Sequence, residues 1–431
     1  MPASPSTARA INDRLALRLL QREGPLTAGQ LKQLTGLSRP TVADLVERLS
    51  DAGLIEVVGE AGDQRRGPNA RLYGIVADRA HLAALDVRTE GVTVIVADLI
   101  GRELTRASVP IADGTGTGPA VEQAVTLVER TVKEAGADRL HTMAIGAPGL
   151  IDPATGELRD SIGLPAWHRR LAAALGERLT PRVLVENETN LAALAEQRDG
   201  AARDRDTFVL LWLGVGTGAA VVLDGRLRRG ASGGTGEIGF LPVPGTTTIP
   251  SATDCEGGFH SLGGAAAVAA LAAAHGITAD PTGREPHSAT LVRTAVARTA
   301  ASGSSADGAA AWADRAAASV NGLSASSDGP GSSARATDPY ARFLDALADR
   351  LAIGAASVVA VLDPGCVVLG GEVGQAGGEA LAARVEARLT AMSPMPTEVR
   401  PSGLGGAAVL RGALLMAREA AQDDLFPPAA R

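Results

Sequence analysis

Residues 24–52, GPLTAGQLKQLTGLSRPTVADLVERLSDA, leave little freedom in how they can fold. Thr27 precedes a short helical pattern and Gln30 stands three residues on, the pairing of a capping box that satisfies two orphan backbone donors. Leu31 and Leu34 supply the buried side of that helix, and Gly36 offers the left-handed backbone that ends it. Ser38 caps a second helix, with Pro40 in the first turn, where a missing N–H costs little. Val42, Leu45, Val46 and Leu49 then recur at i, i+3, i+4 and i+7, one apolar stripe, while Arg39, Thr41, Asp44 and Arg48 fall on the opposite face. Two helices joined by a tight turn, the second opening on polar and basic side chains, form the geometry that sets a recognition helix in the major groove of duplex DNA. A helical hairpin packed on another domain is the alternative.

The flanking sequence continues the DNA-binding pattern. Ile11, Leu15, Leu19 and Leu20 make a preceding amphipathic helix that can cover the pair. Leu54–Val58 and Ala70–Ile75 can pair as a hairpin around GEAGDQRRGPNA, which predicts a winged helix with Arg65 and Arg66 at the wing tip. Two arginines on such a loop suit phosphate or minor-groove contact, and equally a solvated turn. Ser38, Arg39, Thr41 and Arg48 on the helix, with Arg65 and Arg66 on the wing, are the candidate DNA contacts.

At 431 residues the chain is too long for a lone DNA-binding unit, and 45% apolar residues can bury a sizeable second core. Residues 1–80 carry a formal charge of +2, against −7 for the whole chain, so DNA contact is expected only in the N-terminal unit. An aromatic content of 2% disfavours a stacking platform for single strands. Cys255 and Cys366 are the only cysteines, which excludes a disulfide framework and suits a reducing compartment. No apolar segment follows a basic start, and no run approaches the ~20 residues needed to span a bilayer. A cytoplasmic protein without a membrane partner is expected.

The pattern changes near residue 79, giving expected domains at 1–78 and 79–431. His81–Val87, Val92–Asp98 and Arg102–Pro110 read as a strand meander. Helix Pro119–Ala135, strand Thr142–Gly146, helix Leu171–Leu179, strand Arg182–Val185 and helix Asn190–Asp199 follow. A second half repeats the scheme with strands Phe208–Leu213, Ala219–Leu223, Arg226–Arg229 and Cys366–Leu369, and helices near 261–275, 338–362, 378–390 and 404–420. Two related α/β lobes predict a ligand cleft. Residues 300–338 are low in complexity and read as an insertion, with a short helix around Trp312.

Five stretches in order now resemble the ROK family of sugar kinases and sugar-responsive repressors: AIGAPGLIDPATGEL (144–158), VENETNLAALAE (185–196), LLWLGVGTGAAVVLDGRLRRGASGGTGEIGF (210–240), LDPGCVVLGGEV (362–373) and SGLGGAAVLRGA (402–413). The resemblance implies a winged helix-turn-helix followed by a two-lobed actin-like (ribonuclease H-like) ATPase-type domain. It also implies that a member with an N-terminal winged helix is a regulator. In the kinases, glycines placed like Gly214, Gly216 and Gly218 approach a nucleotide phosphate, and those placed like Gly370 and Gly371 lie by adenosine. Here a tight hairpin is the favoured reading of the first three, and a strand-to-helix turn is the alternative for Gly370 and Gly371.

The kinase residues are altered. Where the family has Asp-x-Gly-Gly-Thr, Asp86 is followed by Val87, Arg88, Thr89 and Glu90. Side chains replace bare backbone, and Glu90 adds like charge. The Asp of the family's Asn-Asp pair becomes Glu188 beside Asn187; one more methylene shifts a carboxylate by about 1 Å, enough to cost ~10²-fold. Glu237 keeps its place, but Phe240 replaces the histidine that follows, Leu262 a sugar-binding Glu, and Gly163 an Asn. In the loop where the family binds zinc only Cys255 persists, with His260 at another cysteine position. These two and a nearby carboxylate could hold a metal, but a loop packed without one is the expectation.

The chain is therefore expected to be a non-enzymatic DNA-binding repressor without cofactor or metal. Asn187, Glu188 and Glu237 are left to contact a sugar or sugar-derived effector. Double-stranded DNA with an inverted-repeat operator is the expected partner of a homodimer or homotetramer. An active ATP-dependent sugar kinase with an accessory DNA-binding domain, and a constitutive binder without effector, are the rivals.

Overall fold

The computed structural model describes residues 5–61, 70–159, 164–280, 285–301 and 338–426. Arg65 and Arg66, Gly163, Trp312 and nearly all of the expected insertion at 300–338 lie outside the described residues. The chain divides into two compact units, Met1–Glu188 with Leu410–Arg431, and Thr189–Val409.

The first unit opens with α1 (Pro5–Glu23), β1 (Leu26–Thr27), α2 (Ala28–Thr35), α3 (Arg39–Asp51), β2 (Ile55–Ala61) and β3 (Ala70–Ile75). Thr27 and Gln30 close the expected capping box, and Gly36 ends α2 at φ +70°. The strands form a sheet in the order β1-β3-β2, with a bulge between Val57 and Gly59. This is a winged helix. Two expectations about its packing fail. Ile11 and Leu15 are 47% and 40% exposed, and Leu34 is 48% exposed. The buried stripe of α1 is Asp13, Ala16, Leu17 and Leu20, together with Leu19. A charged residue within the stripe hides it from an apolar period.

The same unit continues with β4 (His81–Arg88), β5 (Gly91–Asp98), β6 (Glu103–Pro110), α4 (Thr117–Glu134), β7 (Leu140–Ala147), α5 (Trp167–Leu179) and β8 (Arg182–Asn187). Its sheet runs β6-β5-β4-β7-β8: an antiparallel meander, then parallel strands added through helical crossovers. Leu85, Val94, Val96 and Ile145 meet Val125, Val128, Leu171 and Leu175 of α4 and α5 in one core.

In the second unit, α6 (Glu188–Asp199) leads to β9 (Phe208–Leu213), β10 (Thr217–Leu223), β11 (Arg226–Arg228), α7 (His260–Gly263), α8 (Ala265–Ala274), a helix α9 over 287–301, α10 (Pro339–Leu362), β12 (Cys366–Gly370), α11 (Gly371–Met392) and β13 (Glu398–Pro401). The order β11-β10-β9-β12-β13 repeats that of the first sheet, as an actin-like architecture requires. Both faces of this sheet are covered. Val209, Leu211 and Leu213 face one core, while Phe208 and Leu210 face the other. That explains the unbroken apolar run of β9. The last helix, α12, spans Ala408–Leu425.

Candidate functional site

The recognition helix α3 is built for its position. Ser38 has extended backbone and its side chain accepts from Thr41 N–H at 3.3 Å, while the two hydroxyls lie 2.8 Å apart. Val42, Leu45, Val46 and Leu49 are buried, and Arg39 is exposed in the first turn. Arg48, on the same helix, is paired within the protein. Its guanidinium donates to the carboxylates of Asp13 in α1 and Asp44 in its own helix, which hold it protonated, Asp13 foremost. Asp13 is nearly buried, so its charge requires a cation, and Arg48 is the one supplied. The arginine thus braces α3 on α1. Helix α1 also meets the turn between β5 and β6 and the C-terminal helix: Arg14 pairs with Asp423, Gln21 donates to Ile100 O at 3.1 Å, and Gln422 donates to Gln21 at 2.7 Å.

In the first unit the carboxyl ends of β4, β7 and β8 lie side by side, with Asp86 opposite Gly146 and Ala147 opposite Asn187. The Asn187 side-chain amide donates to Gly149 O at 3.0 Å, and its backbone N–H donates to Glu186 at 3.0 Å. Glu188 follows as the first residue of α6. Asp86 is 6% exposed and accepts from Arg88 Nε at 3.0 Å. Arg88 therefore turns back over the aspartate. His168, packed edge-on against Trp167, is buried; desolvation pushes its pKa below the ordinary value, against smaller opposing effects from the Arg88 backbone and the Glu90 charge.

The second unit carries Glu237, ahead of a single 3-10 turn, Ile238–Phe240. The residue keeps solvent-exposed surface, yet enough protein surrounds its carboxyl for desolvation to raise the pKa. The nearby loop is closed by main chain: Gly258 N–H donates to Cys255 O and Phe259 N–H to Leu241 O, both at 2.9 Å. Phe259 is fully buried, and its ring lies so close to Gly354 of α10 that a Cβ there would stand 2.5 Å away. One thiol and one imidazole on a loop tied in this way do not make a zinc donor set. Among the described residues no group of three or more His, Cys, Asp or Glu is placed to hold a metal ion.

The sequence reading gave Glu196 no role. It is fully buried in α6 and accepts from Ala201 N–H at 2.7 Å, Gly403 N–H and Leu404 N–H at 3.1 Å, and the Ser402 hydroxyl. It thereby pins two loops of the second unit. The signal available was one charge ending the otherwise apolar run LAALA.

The ROK family profile matches residues 82–327 and 331–420, more than half of the chain. The chain belongs to the ROK family. Residues 11–66 match the MarR family, in keeping with the winged helix. The DNA-binding transcriptional dual regulator NagC of Escherichia coli K12 is 27% identical over 243 residues, which are 54% of this chain and 58% of that protein. The xylose repressor of Bacillus subtilis is 23% identical over 253 residues, 56% of this chain and 62% of the repressor. The chain thus spans about three fifths of the length of the curated relatives it matches. Among solved structures, a ROK family transcriptional regulator described as a homologue of the E. coli MLC protein aligns at TM-score 0.68 and 20% identity, over 97% of this chain and 98% of the other. A ROK hexokinase from Thermus thermophilus aligns at TM-score 0.57 and 26% identity, over 80% and 99%. ROK regulators and ROK kinases therefore share this fold. No helix among the described residues is long and apolar enough to cross a membrane.

Proposed function

We propose that this chain is a sequence-specific DNA-binding transcriptional repressor whose ROK domain does not phosphorylate sugars and instead dimerises and senses a sugar-like effector. The observation that carries the reading is the winged-helix arrangement of α1–α3 with β1–β3, in which α3 is capped by Ser38 and braced through Arg48 and Asp13. Arg39 and Thr41 would meet base edges or phosphates, Ser38 would add a polar contact, and Arg65 and Arg66 would follow from the wing. Arg48 acts in this reading as a positioning residue. Two copies related by a two-fold axis would read an inverted repeat with half-sites whole turns apart.

The kinase alternative is disfavoured by the Arg88–Asp86 ion pair and by Glu188 in place of a shorter base. The effector reading rests on Asn187, Glu188 and Glu237, and on relatives named for N-acetylglucosamine and xylose. Mapping the sites bound in living cells tests the proposal: recurrent inverted repeats upstream of genes are expected, and bound sites without a common motif would defeat it. ADP release dependent on a hexose would favour the kinase.

A further inference from the structure

The second unit holds a glycine turn that no part of the regulator reading uses. β9 and β12 are parallel neighbours, with Trp212 opposite Gly370, and their carboxyl ends meet the turn Gly214–Val215–Gly216 that leads into β10. Gly214 N–H donates to Gly216 O at 3.0 Å. A Cβ on Gly216 would meet nothing within 4 Å, and Val215 is 71% exposed, so the outer side of the turn is open. Bare backbone at the carboxyl ends of parallel strands is where an anionic ligand ordinarily settles in an open α/β sheet.

The inner side is different. A Cβ on Gly214 would lie 2.5 Å from a Glu372 carboxylate oxygen and 3.0 Å from the Trp212 indole nitrogen. The carboxylate of Glu372 therefore rests against the backbone of the glycine turn. It is held there by the path of the chain. Gly371 has φ +74°, and a Cβ on it would collide with the backbone of Leu213, so only glycine lets the start of α11 press onto the end of β9. Glu372 is the next residue, and that contact delivers it to Gly214.

We propose that the Glu372 carboxylate is the resident anion of the Gly214–Gly216 turn and that it bars phosphate-bearing ligands from the carboxyl ends of β9 and β12. A phosphate drawn to the open side of this turn meets, across the Gly214 backbone, a carboxylate of like charge that already occupies the inner side. The inference goes beyond the loss of phosphoryl transfer: a protein unable to transfer a phosphoryl group can still bind a nucleotide, and this turn is expected not to.

The test is calorimetric titration of the full chain with ATP and, separately, with inorganic tripolyphosphate. The wild type is expected to give no saturable binding at millimolar ligand. Glu372→Gly should bind tripolyphosphate at least tenfold more tightly, and Glu372→Gln, which keeps the shape and removes the charge, should gain less. Thermal melts confirm that each variant folds, and the Gln variant carries the test if the Gly variant does not. Saturable wild-type binding equal to that of the variants, or folded variants that gain nothing, would overturn the proposal. Promoter binding measured on the same proteins keeps the outcomes apart: its absence in the wild type would strike the regulator reading and leave the role of Glu372 standing.

Discussion

Glu196 shows how a single buried charge can hold the second unit together. Its carboxylate serves four donors, so Glu196→Ala leaves three N–H groups and a hydroxyl without an acceptor. A loss of about 3 kcal/mol is expected, read as a lower urea midpoint, with Glu196→Gln losing less. His168 sets a pH dependence of definite sign. Its folded pKa lies below the ordinary 6.5, so below that pH the unfolded chain takes up a proton that the folded chain refuses. Stability is retained above pH 6.5 and falls as the pH drops through the folded value. Unfolding curves at pH 7.5 and 5.5 should differ less in His168→Phe than in wild type, and equal differences would contradict the assignment. Residues with an intrinsic local role were legible in the sequence: Thr27, Gly36 and Ser38 each act through their own backbone. Arg48 and Glu372 were not, because a charge is committed by partners far away in sequence, here Asp13 at 35 residues and Gly214 at more than 150.

Among the elements, most strands of the two five-stranded sheets and most helices follow their apolar periods. Those that departed have physical causes. The expected helix at 261–275 is two, because the backbone of Gly264 is extended (φ −71°, ψ 159°) and breaks the helical run between them. α11 begins seven residues earlier than its periodic part and bends at Gly378, φ +49°. β13, only four residues and ending in Pro401, pairs along one edge of β12 and carries too little pattern to be read alone. Helix α9 is rich in Ala and Thr, so its contrast is weak where it runs toward the low-complexity stretch. The wing is the element whose role is most open to experiment. Replacing both Arg65 and Arg66 by Ala should weaken DNA binding uniformly across sequences and lower the slope of log K against log salt by about 2. An unchanged slope would remove the wing from the interface.

For the whole molecule, the repeated β6-β5-β4-β7-β8 order and the family membership establish a ROK domain joined to a winged helix. Architecture of this kind is shared with kinases, so function rests on the altered residues and on the N-terminal unit. If the ROK domain senses a sugar, one member of a panel of sugars and sugar phosphates should raise the melting temperature; at 100 times Kd the stabilisation is ~2.7 kcal/mol. A flat panel would leave the domain as a dimerisation scaffold. The most direct measurement is the equilibrium binding of the purified full chain to a promoter fragment carrying a mapped site, against random duplex of equal length at physiological ionic strength. The account predicts at least ~10³-fold preference for the promoter; equal affinity for the two duplexes would contradict it.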